Sequence, residues 1–497
     1  MNLNSKSWRW FLPATACFSV AIYLFVSSKG YGMGYPLDDA WIHLTYARNL
    51  VDFGQWMFLP GIVSGGSTSP LWTVLLTPIY LLNINPLIWT TLLGFIFLTF
   101  LGFLIYVFIK QQTEDVSLWW IAGIIAVEWH FVWAALSGME TLLQTAANLA
   151  VAVLLFRAVN NIKSGNAEWL FLGLMIGGMV WIRPDAVTWL GPAGLLAVYV
   201  VFQHSKKRWI TWAYLIFGFI IPFTMYLVFN HVVSESIWPN TMYAKQAEYQ
   251  AYQTVPYISR YLRLFVLPFI GSSVLLIPGL INKAIQSIRK HDLFIISLFL
   301  WWLGMVGVYA AKLPVTYQHG RYMIPVMIMP AILGICGTFD LANQLKLNIV
   351  KKQRFVFAGK ALFVGLQLAF LVLGANAYRD DIGVIETEMV DTALWVQENI
   401  PEDAVLAVHD IGAMGYYGGH EFIDLAGLVN PEVIPFIRDD QRLAEFLDEN
   451  DVDFVIVFPS WYSALVEGKE IFYSTEAELS PSMGGENMSI YCWKKCK

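Results

Sequence analysis

Long apolar segments recur along most of this chain and constrain its fold more than any other feature. Eleven of them approach the roughly 20 residues that a helix needs to cross a bilayer. They lie near residues 10–29, 88–109, 118–135, 141–158, 167–182, 186–202, 209–230, 261–281, 292–311, 322–340 and 355–376. Hydrophobic residues make up 57% of the chain and charged residues only 14%, which is not the balance of a water-soluble protein. The sequence predicts a polytopic α-helical membrane protein with about eleven transmembrane helices.

The charge of the chain changes sign near residue 378. Residues 1–378 hold 24 Lys and Arg against 13 Asp and Glu, whereas residues 379–497 hold 7 against 24. We therefore predict two domains, a membrane domain over residues 1–377 and an acidic domain over residues 378–497. Neither the charge nor any motif indicates nucleic acid as a partner.

Helical and strand-like patterns alternate in the acidic domain. They predict a helix near 387–399, a strand at 404–409, a helix near 440–449 and a strand at 453–458. This order is typical of an α/β domain with a largely parallel sheet.

Basic clusters orient the predicted spans, because loops rich in Lys and Arg stay in the cytoplasm. The clusters are Lys110, Lys163, and those within 206–208, 283–290 and 346–354. All of them fall on one side if the short apolar stretch 69–83 does not cross, so we interpret it as an interfacial or re-entrant helix. The acidic domain is then extracytoplasmic. The first apolar segment is expected to be an uncleaved span.

Two adjacent carboxylates, Asp38 and Asp39, open a predicted amphipathic helix over residues 38–51. Such a pair is costly beside a membrane unless a proton or a cation relieves the repulsion. One carboxylate could act as a general base while the other orients the substrate or holds a cation. The alternative is a helix cap, which needs only one acidic residue.

Several cationic residues near the membrane boundaries fall on the same side as this pair. They are Arg183, Lys245, His319 and Arg321. Such groups would offset the charge of a phosphate that binds or leaves. Simpler alternatives exist: Arg183 could pair with Asp185, Lys245 could be solvated, and Arg321 could extend towards the interface. Glu140 on the same side could cap the helix that follows it.

No Walker loop, Rossmann glycine pattern, zinc-site spacing or serine nucleophile elbow occurs in the sequence. Paired aspartates can bind Mg²⁺, Ca²⁺ or Mn²⁺, so a divalent cation is one alternative cofactor, and no other is predicted. Four cysteines are too few for a disulfide framework, although Cys492 and Cys496 could pair outside the cytoplasm.

A series of short motifs resembles bacterial members of the C-type (GT-C) glycosyltransferase superfamily. The resemblance is greatest to the branch that contains the mycobacterial terminal arabinofuranosyltransferases. The motifs, in order, are Asp38-Asp39-Ala40, Tyr46-Ala-Arg-Asn-Leu50, Pro60-Gly61, Thr68-Ser-Pro-Leu-Trp72, Ser137-Gly-Met-Glu-Thr141, Arg183-Pro-Asp185, Pro239-Asn-Thr241, Tyr243-Ala-Lys245, Arg321-Tyr322, Gly412-Ala-Met-Gly-Tyr-Tyr417 and Ile423-Asp-Leu-Ala-Gly-Leu428.

The resemblance implies an inverting transfer from a polyprenyl-phosphate sugar to an envelope glycan or glycolipid. It implies that 38–51 and 69–83 are two juxtamembrane helices of the first external loop, and that an aspartate of this loop is the base, either Asp38 or Asp39. The donor phosphate is then expected on the four cationic residues. Residues expected to contact the sugar or the acceptor are His43, Glu140, Asp185, Asn240, Tyr243, Tyr322 and Asp410.

Three other functions are compatible with the sequence. An enzyme of the same fold class could transfer a preassembled oligosaccharide en bloc, as an O-antigen-type ligase does. A lipid or polymer transporter is a weaker alternative, because transporters commonly show internal repeats and charges at the bilayer midplane. A scaffold without catalysis is the third, although the carboxylate pair argues against it.

Overall fold

The computed structural model describes residues 8–113, 119–160, 166–204, 209–344 and 348–494. The membrane part is helical throughout. Its helices are α1 (Trp8–Ser28), α2 (Asp39–Phe53), α3 (Pro70–Leu76), α4 (Pro78–Leu81), α5 (Pro86–Gln112), α6 (Trp119–Ala126), α7 (Trp129–Leu136), α8 (Thr141–Asn160), α9 (Ala167–Met179), α10 (Leu190–His204), α11 (Trp209–Ser234), α12 (Asn240–Glu248), α13 (Tyr257–Val266), α14 (Ile277–Arg289), α15 (Leu293–Lys312), α16 (Tyr317–Gly320), α17 (Ile324–Gln344) and α18 (Ile349–Val384).

Eight helices of the described part are long and apolar enough to cross a membrane. Two further pairs reach that length only together: α6 with α7, bent by 58°, and Tyr257–Phe269 with Ser272–Arg289, bent by 96°. Helix α9 has 13 residues, so it is only about 20 Å long. The prediction of a polytopic helical membrane protein is confirmed, but two of the predicted spans, 118–135 and 261–281, are broken helices.

The breaks have local causes. Helix α6 ends before Glu128 and a new helix, α7, begins after it, because the Glu128 carboxylate caps α7 by accepting the backbone N–H of His130 at 3.1 Å. In the second pair, Gly271 has φ +150°, a conformation that L side chains rarely adopt. The two breaks meet, since Trp129 Nε1 donates to the backbone oxygen of Ile270 at 2.7 Å.

The first loop contains the two predicted juxtamembrane helices. Helix α2 is buried over most of its length and ends at Gly54, whose φ is +65°. The predicted helix over 69–83 forms two short helices, α3 and α4, because Pro78 begins a new helix. Trp72 of α3 donates to the backbone oxygen of Gly138 at 2.9 Å, which fixes this loop to the bundle.

Glycines let α9 lie directly against α11. A Cβ atom on Gly173 would lie 2.2 Å from the backbone oxygen of Leu215, and one on Gly177 would lie 2.6 Å from that of Phe219. This small-residue spacing is common where membrane helices pack closely. The contact fixes the end of α9, from which the chain continues to Arg183.

Helix α18 continues without interruption through a π-helical segment, Ile385–Val390, into α19 (Asp391–Asn399). The tail, residues 400–494, then contributes α20 (Ile411–Ala413), α21 (Asp440–Glu449), α22 (Ser463–Val466), α23 (Leu479–Ser482) and the strands β1 (Leu406–Val408), β2 (Phe422–Asp424), β3 (Phe454–Val457), β4 (Ile471–Ser474) and β5 (Ser489–Cys492). The expected domain boundary at residue 377 lies inside this continuous helix.

The sheet has the strand order β2-β1-β3-β5-β4. The predicted strands near 404–409 and 453–458 are present as β1 and β3, and the predicted helices as α19 and α21. Strand β1 pairs in parallel with β2 and β3, whereas β5 pairs antiparallel with β3 and β4. The sheet is therefore mixed rather than largely parallel. The prediction differed because it did not include β4 and β5, which form the antiparallel part.

The tail packs directly on the first loop. The ring of Trp41 on α2 lies 4.7 Å from that of Tyr416 and 4.9 Å from that of Tyr417. Arg48 donates to the backbone oxygens of Tyr416 at 2.9 Å and Gly415 at 3.1 Å. The first loop and the tail consequently occupy the same end of the helix bundle.

Some predictions fall on residues outside the described part. Cys496, and with it the proposed pair with Cys492, is one of them. The others are the basic residues Lys163, those within 206–208, and Lys346.

Candidate active site

Asp39 lies at the first turn of α2 between two cations. Its Oδ2 accepts a hydrogen bond from Arg321 Nη1 at 2.7 Å, and its Oδ1 accepts one from Lys245 Nζ at 3.2 Å. Burial alone would raise the pKa of this carboxyl, but the two cations hold it well below its usual range. Lys245 and Arg321 are therefore neither solvated nor directed to the membrane interface, and both alternatives for them are wrong.

Asp38, the neighbouring residue, has different partners. Its two oxygens accept the backbone N–H groups of Gly412 at 2.6 Å and Ala413 at 2.7 Å, both in the tail. It makes no side-chain hydrogen bond that caps α2, so the capping alternative is wrong. Burial and the nearby Asp410 raise the pKa of Asp38 to about 7, although the two N–H donors oppose the rise.

Tyr322 connects the cations. Its hydroxyl accepts hydrogen bonds from Lys245 Nζ at 3.0 Å and Arg321 Nη2 at 2.9 Å. Its ring centroid lies 5.6 Å from Lys245 Nζ, 4.9 Å from Arg321 Cζ and 5.8 Å from Arg183 Cζ. Three of the four predicted phosphate-binding cations thus surround one aromatic ring.

Arg183 extends the site along the bundle. It donates to Glu140 Oε1 at 3.2 Å and to the Tyr309 hydroxyl at 2.8 Å, and its Nε lies 3.5 Å from Asp185 Oδ2. The pairing with Asp185 is present, but it is one of several. Glu140 pairs with Arg183. Its carboxylate is therefore part of the site rather than a cap at the start of α8.

His43 lies one turn after Asp39 on α2, and its side chain faces Glu140. Its Nε2 is 3.8 Å from Glu140 Oε2, and its Nδ1 is 3.1 Å from the Ser67 hydroxyl. Burial lowers the pKa of His43, although the Glu140 carboxylate opposes the shift. The imidazole is therefore neutral at physiological pH.

A cavity of about 580 Å³ opens beside Asp39. Its walls come from α2, α12, the turn α16 with Arg321, and the tail. The lining includes Asp38, Asp39, Lys245, Glu248, Tyr249, Tyr252, Tyr317, Arg321, His409, Asp410, Arg438 and Trp461. The acidic pair and two of the predicted cations therefore meet in one cavity, together with Asp410.

Three predicted residues lie elsewhere. His319 turns away from the cavity, because its Nε2 lies 2.7 Å from Asp381 Oδ2 and its ring packs on Trp129 and Trp133. Asn240 is buried and Tyr243 is 40% exposed, and neither lines the cavity. Helical spacing explains this result, since α12 directs Lys245 and not Tyr243 towards Asp39.

The sequence did not reveal three residues of the site, which are Glu248, His409 and Arg438. His409 Nε2 lies 3.4 Å from Glu248 Oε1, and its Nδ1 lies 3.4 Å from Asp410 Oδ2. Burial disfavours the charged imidazole, but the Asp410 and Glu248 carboxylates raise the pKa of His409 to about 10. The only sequence signal for His409 was its position at the end of a strand, where α/β sheets favour ligands.

The oxygens of the aspartate pair already have partners within the protein. Within the described ranges, no group of three or more His, Cys, Asp or Glu is arranged to hold a metal ion. The oxygens of Asp39 are engaged by two cations, and those of Asp38 by two N–H groups. This donor set does not fit the divalent cation considered from the sequence.

The chain is a polytopic membrane protein with the GT-C glycosyltransferase fold, as the motifs predicted. ArnT from Cupriavidus metallidurans bound to undecaprenyl phosphate has a TM-score of 0.60 at 12% identity, over 97% of this chain and 97% of that chain. The apo oligosaccharyltransferase of Archaeoglobus fulgidus has a TM-score of 0.57 at 12% identity, over 91% and 70%. A variant of arabinofuranosyltransferase AftD from Mycobacteria has a TM-score of 0.53 at 12% identity, over 97% and 42%. At this low identity, the TM-scores above 0.5 show a shared fold.

A family model matches the end of α18, α19 and most of the tail. Residues 376–491 match a family described as a domain of unknown function (DUF8728). No curated protein sequence matches the chain.

Proposed function

We propose that this protein is a glycosyltransferase that moves a sugar from a polyprenyl-phosphate donor to a hydroxyl of an envelope glycan or glycolipid, with Asp39 as the general base. One observation carries the proposal. The Asp39 carboxylate lies between Lys245 and Arg321 at the wall of a large cavity, so a proton acceptor and two phosphate-binding cations are adjacent.

The charges balance through such a reaction. The acceptor oxygen bonds to the anomeric carbon of the sugar, the bond from that carbon to the phosphate oxygen breaks, and the acceptor proton moves to Asp39. The donor phosphodiester has one negative charge, whereas the released polyprenyl phosphate approaches two, as phosphate monoesters do near neutral pH. Asp39 becomes neutral in the same step, so Lys245 and Arg321 can stabilise the charge that develops on the phosphate.

Asp39 fits the role of base better than Asp38. The phosphate of a bound donor would compete for Lys245 and Arg321, which would raise the pKa of Asp39 towards the range in which it accepts a proton. Burial raises the pKa of Asp38 to about 7, but both of its oxygens accept backbone N–H groups of Gly412 and Ala413, so a proton taken up there would weaken the contact with the tail. We therefore assign Asp38 to holding the tail against α2.

Unpartnered polar atoms supply contacts for the sugar. In the described part of the chain, Glu140 Oε2, Asp185 Oδ1 and Arg321 Nε are buried and have no hydrogen-bond partner. Buried polar groups without partners are rare in native proteins. Sugar hydroxyls both donate and accept hydrogen bonds, so a bound sugar would satisfy the two carboxylates, and the phosphate would satisfy Arg321.

An apolar groove beside the site suits the isoprenoid chain of the donor. It has a volume of about 400 Å³ and is lined by Leu50, Trp56, Pro70, Leu71, Val74, Gly178, Trp181 and Phe229. Leu50 follows His43 by seven residues on α2, a distance of about 10 Å along the helix. Structures of the same fold contain undecaprenyl phosphate in ArnT and a dolichol-phosphate in AglB, which supports a lipid-linked donor.

The reaction would take place outside the cytoplasm, at the inner membrane of a bacterium. The basic loops of the sequence favour this orientation, because positive loops remain in the cytoplasm. The tail and the site occupy the same end of the bundle, and the tail is the acidic part of the chain. Reporter fusions at the C-terminus test this directly: alkaline phosphatase should be active there, and a fluorescent cytoplasmic reporter should not.

The experiment for the proposed activity uses the purified protein in lipid nanodiscs with a series of polyprenyl-phosphate sugars. Acceptors would be extracted from a strain that lacks the protein. The proposal expects release of polyprenyl phosphate and a gain of one sugar residue in the mass of the acceptor. A gain of a whole oligosaccharide would favour en bloc transfer, and movement of the donor across sealed vesicles without a new glycosidic bond would favour a transporter. Activity in the presence of a chelator would argue against a divalent cation.

A further inference from the structure

Two helices supply the ion pair between Asp39 and Lys245. Asp39 is on α2 and Lys245 is on α12, and their side chains meet at 3.2 Å. The two residues are 206 positions apart in the sequence. Their distance therefore depends on how α2 and α12 are held relative to each other.

One short segment of the tail contacts both helices. We define residues 409–413 as the bridging segment. At one end, the N–H groups of Gly412 and Ala413 bind the carboxylate of Asp38, the residue next to Asp39. At the other end, His409 lies 3.4 Å from Glu248, which follows Lys245 by three residues on α12. Residues three apart lie on the same face of a helix, so Glu248 and Lys245 both point towards the cavity.

The contact between His409 and α12 is well defined. His409 is buried and its ring packs edge-on against Trp461 at 4.7 Å and Tyr462 at 5.6 Å. Glu248 is also largely buried, at the wall of the cavity. The pKa of His409 is raised to about 10 and that of Glu248 is lowered, so both partners are charged at physiological pH.

A second tail residue holds the same end of α12. Arg438 Nε donates to the backbone oxygen of Glu248 at 3.1 Å. The last carbonyl groups of a helix lack partners within the helix and carry partial negative charge, so a cation there stabilises the helix end. The chain after Glu248 is exposed at Gln250, Ala251 and Tyr252. The tail therefore supports this end of the helix together with Tyr317, whose hydroxyl donates to that of Tyr249 at 3.0 Å.

We propose that His409, with Arg438, is a positioning residue that holds α12 so that Lys245 reaches Asp39 and the donor phosphate. The bridging segment thereby sets the distance between the base and the cation. The role of the tail, which matches the domain of unknown function, is then to complete the donor-phosphate site. This inference rests on the proposed function for the role of Lys245, but the geometry of α12 is independent of it.

The test compares His409→Gln with His420→Gln. His420 is a second buried histidine of the tail, but its ring contacts the backbone oxygens of Ile400, Pro401 and Gly418 and not α12. We expect His409→Gln to raise the KM for the donor by about tenfold, as for the loss of a hydrogen bond to a charged group, with kcat changed far less. His420→Gln should leave KM within about twofold, as for a residue that does not touch the site. Equal effects of the two variants on KM would overturn the proposal.

A double-mutant cycle with Lys245→Ala makes the test specific. If His409 acts through Lys245, adding His409→Gln to Lys245→Ala should not raise the donor KM further. Additive effects would overturn the proposal, because they would mean that His409 acts elsewhere.

Hydrogen exchange separates this inference from the proposed function. Exchange of the backbone amides of residues 240–248 should become faster in His409→Gln and stay unchanged in His420→Gln, whether or not the protein transfers a sugar. Unchanged exchange of α12 in His409→Gln would overturn the inference, even if the enzyme were active. Failure of transfer by the wild-type protein would instead contradict the proposed function.

Discussion

At the residue scale, Asp38 and Asp39 are chemically identical neighbours in opposite environments. Asp39 faces two cations, whereas Asp38 binds two backbone N–H groups of the tail. Consecutive residues at a helix start point in directions about 100° apart, so one of the pair faces the cavity wall with the cations and the other faces the tail. This division explains how two adjacent acids are accommodated at one helix start.

The Tyr322 hydroxyl provides a test of the phosphate site at this scale. Tyr322→Phe keeps the ring beside Arg183 but removes the acceptor shared by Lys245 and Arg321. We expect the KM for the donor to rise by about 5- to 30-fold, the equivalent of one or two hydrogen bonds. Steady-state kinetics with varied donor concentration measure this change.

Tyr243→Phe is the matched control for that variant. Tyr243 is half-exposed and outside the cavity, so its hydroxyl should be dispensable. Equal kinetic effects of the two tyrosine variants would contradict the site as described.

The sequence predicted most of the charged residues of the site but not their pairing. The charged residues that stood out did so because they lie near the ends of apolar segments on one predicted side of the membrane; they are Asp39, Glu140, Arg183, Lys245 and Arg321. The sequence could not separate Asp38 from Asp39, since only the folded tail distinguishes them. It also could not predict that His319 pairs with Asp381, because the two residues are 62 positions apart.

At the element scale, close packing of α9 on α11 determines where Arg183 lies. Gly177 allows this packing, because a Cβ atom there would lie 2.5 Å from Pro222 Cγ on α11. The next residue, Gly178, has open space at the same position. The two neighbouring glycines are therefore a matched pair for substitution.

Gly177→Ala should destabilise the protein by about 1–3 kcal/mol, the usual effect of adding a methyl group to a tightly packed contact. Gly178→Ala should change stability by less than about 0.5 kcal/mol, as surface substitutions do. Thermal unfolding of the purified variants, followed by tryptophan fluorescence, compares them. A similar loss of stability in both would contradict the close contact between α9 and α11.

Elements with strong patterns were predictable from the sequence, and breaks within elements were not. Length and hydropathy indicated the membrane helices. Helical spacing indicated the first helix of the first loop, and the placement of the basic loops indicated that 69–83 does not cross the membrane. The break at Gly271 depends on the backbone conformation of one glycine within an otherwise apolar segment. A single glycine can also be accommodated inside a continuous helix, so the sequence does not show whether the helix breaks there. Strands β4 and β5 were missed because the pairing of β5 with β3, and of β4 with β5, comes from tertiary packing.

At the scale of the whole molecule, the contact between the tail and the membrane domain depends on a charged histidine. The pKa of His409 is about 10 in the folded protein and returns to about 6.5 in an unfolded chain. Because the folded-state pKa is the higher one, the stabilisation from His409 is fully present below about pH 6.5 and is lost as the pH rises towards 10.

We predict that the difference in thermal unfolding midpoint between the wild type and His409→Gln changes with pH. The thermal unfolding midpoint of the wild type should exceed that of His409→Gln by more at about pH 6 than at about pH 9, because protonation stabilises only the wild type. Glu248, Asp410 and the other groups that titrate are present in both proteins, so the difference isolates His409. A difference that stays constant with pH would show that His409 is uncharged in the fold.

The most direct measurement of the central claim is the rate at which the purified protein releases polyprenyl phosphate when Asp39 is replaced by asparagine. Asp38→Asn and Asp52→Asn, the latter at an exposed position of the same helix, are measured beside it. The account predicts that Asp39→Asn loses about 10²- to 10⁴-fold in kcat, the usual contribution of a general base, while the protein stays folded. It predicts that Asp38→Asn keeps a clearly higher rate and that Asp52→Asn equals the wild type. A folded Asp39→Asn variant that retains nearly full turnover, or an Asp38→Asn variant that loses more, would contradict it.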